Sequence, residues 1–147
     1  MTVAFFGHGN APRDIEPSLE QTVVQLIERN KNITFLVGTH GHFYEMARTI
    51  LVRLAPRYPL MKYRIVLAYL PVKKEENRFE GLPTMLPTGI ESVPKKFAIS
   101  YRNNYMVKEC DTVICYITHD WGGAAQFVEK ARKKKKDIIN LAESNGC

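Results

Sequence analysis

No apolar run in this sequence approaches the roughly 20 residues that a membrane-spanning helix needs, and no basic segment precedes the first apolar stretch as in a secretion signal. No membrane partner is expected, and a cytoplasmic location is. Cysteine is scarce and odd in number. Cys110, Cys115 and Cys147 form neither a disulfide framework nor a metal quartet, so reduced thiols are expected. Acidic residues are outnumbered 15 to 21 by Lys and Arg, leaving a net charge of +6. Much of that excess lies in Lys130 and residues 132–136. The run reads either as a solvated helix end that complements the helix dipole or as a contact for an acidic partner. With 45% hydrophobic and 24% charged residues, the 147-residue chain has the composition of one globular domain.

What is present is alternation. Residues 2–6 form an apolar strand that opens into Gly7-His8-Gly9-Asn10, and a first strand ending in a glycine turn is where Rossmann-like sheets begin a ligand site. Pro12 stands where the last glycine of a full dinucleotide fingerprint would be. Ile15, Leu19, Val23, Leu26 and Ile27 then recur at helical spacing. Residues 33–37 read as a second strand, followed by Gly38-Thr39-His40-Gly41-His42. Phe43, Met46, Ala47, Ile50, Leu51 and Leu54 give the next helix its apolar face, and Pro56 ends it. Residues 63–70 are a third apolar strand. Residues 72–98 carry Pro83, Pro87 and Pro94 without a clean period, which predicts a long loop serving as lid, binding loop or oligomer contact.

Residues 102–129 carry the densest signal. Just ahead of and within them, Ile99, Tyr105, Met106 and Cys110 recur at helical spacing and predict a buried stripe that stops before Asp111. Residues 112–117 are β-branched or aromatic on both faces with no charge, as a covered parallel strand requires. Gly122-Gly123 follows. A glycine pair between strand and helix lets the backbone approach a ligand, with the N–H groups of the new helix aimed at an anion. Residues 137–141 complete the pattern, and residues 144–147 read as a tail. The prediction is one α/β domain over residues 1–143: a Rossmann-like open, mainly parallel sheet of about five strands, order 3-2-1-4-5, with helices on both faces.

The polar spacing across residues 102–129 resembles the SLOG superfamily, Rossmann-like domains that include the cytokinin riboside phosphoribohydrolases and the DNA-processing protein DprA. The phosphoribohydrolases carry Arg-Lys-x-x-Met, an Asp, a hydrophobic strand and Pro-Gly-Gly-x-Gly-Thr-x-x-Glu. Arg102, Met106, Asp111, Gly122, Gly123 and Glu129 fall on that pattern without a gap. Asn103, Trp121, Ala125 and Gln126 replace its Lys, Pro, third Gly and Thr. The Trp-Gly-Gly turn is similar to that of small bacterial SLOG proteins. The resemblance implies a nucleotide-like ligand, no cofactor, and a homo-oligomer. It also implies Arg102 and Glu129 as the catalytic pair if the protein is a nucleoside 5′-monophosphate phosphoribohydrolase.

In this fold Gly7, His8, Gly9, Gly38, Thr39, His40, Gly41, Arg102, Asn103, Met106, Thr118, His119, Trp121, Gly122, Gly123 and Ala124 are expected to gather at one cleft. Several readings stay open. Arg102 holds a phosphate or pairs on the surface with Glu109 or Asp111. Trp121 stacks on a base or caps the core. Glu129 acts at a ribose–base bond or makes an i,i+4 pair with Lys133. His8, His40, His42 and His119 supply an acid or base; their spacing lacks the pattern of a metal site, and none is expected. Binding of a nucleotide-derived molecule by a sensor or scavenger is the first functional expectation. N-glycosidic hydrolysis and DprA-like nucleic-acid binding are the alternatives.

Overall fold

The computed structural model describes residues 1–69, 79 and 81–144. Its elements alternate: β1 (Thr2–Gly7), α1 (Glu16–Arg29), β2 (Thr34–Val37), α2 (His42–Leu54), β3 (Lys62–Val66), β4 (Thr84–Met85), α3 (Ala98–Glu109), β5 (Thr112–Tyr116), α4 (Gly123–Lys133), β6 (Asp137–Asn140) and α5 (Leu141–Ser144). The strands form one sheet of order β4-β3-β2-β1-β5-β6, and every neighbouring pair is parallel.

The five expected strands keep their relative order, and the count is six. The addition is β4, two residues from the expected long loop, which pair with Ile65 and Val66 at the sheet edge. Residues 72–78 and 80 of that loop, residue 70 at the end of the expected third strand with residue 71 after it, and 145–147 of the tail with Cys147, lie outside the described residues. β3 also stops earlier than its apolar run. Leu67 and Ala68 remain buried after the strand has ended.

Alternation of side chains along covered strands divides the core in two. Val3, Phe5, Phe35, Val37, Ile65 and Ile114 pack beneath α1 and α2 with Leu19, Phe43 and Ile50. Ala4, Phe6, Leu36, Val66, Val113 and Cys115 pack on the other side with Met106, Val107, Phe127 and Val128 of α3 and α4. The chain changes face between β1 and β5, which places the topological switch point there. Asp111 secures the opposite, amino edge: its Oδ2 accepts from Thr2 N–H at 2.8 Å and its own N–H donates to the Thr2 carbonyl at 2.7 Å.

One helix face departs from expectation. Ile99 is exposed, and the buried residues of α3 are Ala98, Arg102, Met106 and Val107. The i, i+4 stripe that faces the sheet therefore contains an arginine. Burial pushes the thiols of Cys110 and Cys115 up to about 11 and about 12, so both stay protonated and unreactive.

Candidate functional site

Two loops lock together over the carboxyl edge. The carbonyl of Gly9, after β1, accepts from His42 N–H at 2.9 Å, and a Cβ on Gly41 would lie 2.9 Å from Gly9 Cα. With φ of 107° as well, Gly41 serves the close approach of two backbones at the start of α2.

On the β1–β5 side of the edge stands a ladder of three rings. His8 and His119 stack with centroids 3.8 Å apart at 17°, and His119 and Trp121 with centroids 3.6 Å apart at 14°. The ladder runs from buried His8 to Trp121, which is 69% exposed. Hydrogen bonds fix both imidazoles. Thr118 N–H donates to His8 Nε2 at 3.1 Å, so that nitrogen carries no proton. His119 Nδ1–H donates to the Trp121 carbonyl at 2.9 Å and closes the turn. Burial, and then the neighbouring His119, hold the His8 pKa below its ordinary 6.5. A depressed folded-state value means that the unfolded chain binds the extra proton first as pH falls. The stability this contributes is present at neutral pH and is lost on acidification from about 6.5 through the lowered value. The urea midpoint is therefore expected to fall between neutral pH and pH of about 5, and His8→Gln to flatten that fall.

On the β2–β3 side stands a buried charge. Arg102 is only 5% exposed, although it lies at the sheet's carboxyl edge. Its Nη1 donates to the Val66 carbonyl at 2.9 Å and to Thr39 Oγ1 at 3.4 Å, and its Nε donates to Asn103 Oδ1 at 2.8 Å. Among the described residues no carboxylate pairs with it. The expected alternatives, Glu109 and Asp111, are not its partners; Asp111 is held by Thr2. Burial lowers the guanidinium pKa, partly offset by Tyr44 and Tyr69. Tyr44 accepts from Gly7 N–H at 3.3 Å, and burial pushes its hydroxyl pKa up, so a neutral phenol stands beside the arginine. Thr39 Oγ1 meets His40 Nδ1 at 2.8 Å.

Other expected site residues take structural posts. Met106 is buried in the core of the second face. Gly7 is pressed against the Phe43 ring. Glu129 is exposed and pairs with Arg132 at 3.1 Å, not with Lys133, and no hydrogen bond or ion pair joins it to Arg102 among the described residues. Gly122, Gly123 and Ala124 begin α4, with open space beside Gly123. His42 is exposed at the first position of α2. Among the described residues no group of three His, Cys, Asp or Glu is placed to hold a metal ion.

Asn140 is the residue that sequence reading missed. Its Oδ1 accepts from Ile117 N–H and Ala142 N–H, and its Nδ2–H donates to the Ile117 carbonyl, each at 3.1 Å. The side chain continues the β5–β6 ladder by one rung and aims the turn that carries Thr118, His119 and Trp121. Asn140→Leu is expected to cost about 2 kcal/mol of stability and to speed hydrogen exchange at the Ile117 and Ala142 amides.

No family model matches the sequence, and no curated protein matches it. Among solved structures, the X-ray structure of DNA processing protein A (DprA) from Streptococcus pneumoniae superposes with a TM-score of 0.66 at 17% sequence identity. The fold is DprA-like. The match covers 93% of this chain and 48% of that one, so this chain spans about half the length of DprA. The DprA-like architecture agrees with the Rossmann-like, mainly parallel α/β fold expected above. No helix among the described residues is long and apolar enough to cross a membrane.

Proposed function

We propose that this domain binds a phosphorylated, nucleotide-type small molecule at the carboxyl edge of its sheet, as a sensor or scavenger, with Arg102 as the anionic group's partner. The carrying observation is the state of that side chain. An almost fully buried guanidinium is costly without a counter-charge, and this one has no carboxylate among the described residues. Its Nη2 hydrogens have no partner there, and among the described residues no fully buried side-chain nitrogen or oxygen is left unsatisfied. The two Nη2 hydrogens are therefore the ones left to donate charge-assisted bonds to an anionic oxygen.

A thermal-shift screen against mononucleotides, cyclic nucleotides, ADP-ribose and NAD, followed by mass spectrometry of any hit, tests this reading. A stabilising ligand recovered intact supports it. Free base and ribose phosphate would assign N-glycosidic hydrolysis instead. The likeness to a DNA-processing protein and the exposed Lys133, Lys134 and Lys135 favour a second reading, nucleic-acid binding. A steep loss of DNA affinity with added salt, with no small-molecule hit, would establish it.

A further inference from the structure

We infer that Trp121 is the base-stacking wall of this site and that its ligand class is the purine mononucleotides. The inference rests on the reading of Arg102 as the anion partner and adds what the other end of the ligand meets.

An indole that caps a core packs on aliphatic side chains, and Trp121 belongs to neither apolar cluster of the domain. It rests instead on His119, which rests on His8, at centroid separations of 3.6 and 3.8 Å and angles below 20°. The rings are near parallel and lie face to face, at separations closer than the offset pairs usual for aromatic side chains. The support is fixed from below, because His8 is tied to Thr118 N–H and His119 to the Trp121 carbonyl. One face of the indole is thus committed to a rigid polar stack while the residue remains 69% exposed. The turn that follows it is uncrowded: apart from chain neighbours and the helix's own backbone, a Cβ on Gly123 would touch nothing within 4 Å, and one on Gly122 would meet only His119, at 4.0 Å. A planar ring laid on the free face extends the ladder by one step. Every base offers a π-face, and the larger purine covers more of the indole.

Trp121 is the single tryptophan of the chain, so fluorescence excited at the red edge, where the seven tyrosines do not absorb, reports on this position alone. The probes are AMP and ribose 5-phosphate, which keeps the phosphate and lacks the base. AMP is expected to quench the fluorescence and to bind more tightly than ribose 5-phosphate. Trp121→Ala is expected to weaken AMP binding by about 10-fold or more by calorimetry, and to leave ribose 5-phosphate affinity within about twofold, which also reports that the variant is folded. Trp121→Phe should fall between. Unchanged AMP affinity in Trp121→Ala, or wild-type protein binding both probes equally without quenching, overturns the inference and leaves the Arg102 reading standing. Binding of neither probe overturns the purine-mononucleotide inference, and the Arg102 reading falls with it when the cyclic nucleotides, ADP-ribose and NAD of the wider screen also fail to bind. Quenching by a short single-stranded oligonucleotide but not by AMP overturns the small-ligand class.

Discussion

Arg102→Met is expected to weaken phosphate-ligand binding by about 100-fold while leaving the thermal midpoint at or above that of the unaltered protein. Two charge-assisted bonds from Nη2 are lost, at about 1.5 kcal/mol each or more, which together set the 100-fold figure. Stability responds in the other direction. Burial already depresses the guanidinium pKa, a sign that the charged form is poorly solvated where it sits. Methionine has a flexible chain that can follow the path of the arginine stem. Against this, the Val66 carbonyl, the Thr39 hydroxyl and the Asn103 amide oxygen each lose a donor, at about 1 kcal/mol apiece. Relief of an uncompensated charge is of comparable or greater size. Differential scanning fluorimetry with and without AMP reads both effects. A midpoint several degrees lower, with binding retained, would make Arg102 a structural residue and remove the basis of the proposed function.

Gly7→Ala is expected to destabilise the domain by about 3 kcal/mol. A Cβ at position 7 would stand 2.3 Å from Phe43 Cγ and 2.7 Å from Phe43 Cβ, near the root of the side chain and not at a flexible tip. Phe43 is fully buried, with the Phe5 and Tyr44 rings at centroid distances of 6.3 and 6.0 Å, so it has little room to retreat. The strain falls on the end of β1, where Gly7 N–H meets Tyr44 and the His8 ladder begins. Urea unfolding measures the loss. Phe43→Leu should recover part of it in the double variant, giving a coupling energy of about 1 kcal/mol or more; strict additivity would place the strain elsewhere.

Strand and helix alternation was legible because β1, β2, β3 and β5 are covered on both faces and their apolar runs have nowhere else to be. β4 was not legible. Two residues at a sheet edge have no period, and Thr84 and Met85 are specified by the edge of β3 and not by their own pattern. In α3 the apolar stripe was drawn through Ile99, since periodicity equates burial with hydrophobicity, and the inward register runs through Arg102. The violation of that pattern is what singles out Arg102 for the role proposed above. Three of the four histidines make specific contacts at the expected edge, but only the fold shows that His8 and His119 share one stack. Asn140 reads in sequence as an ordinary turn former at a strand end, and nothing in one side chain announces three hydrogen bonds to two separate backbone segments.

The central position of β1 also sets an order of events during synthesis. β1 can pair with β2 as soon as residues 34–36 exist, whereas its other edge pairs with β5 only when residues 112–116 have been made. Such long sequence separation slows folding, and an unpaired edge invites association with other chains in the interval. His8 and Thr118, 110 positions apart, meet in the same step that closes the sheet. The ring ladder is thus among the last parts to form, and a nascent chain stopped short of residue 112 would present an open strand edge and no ladder.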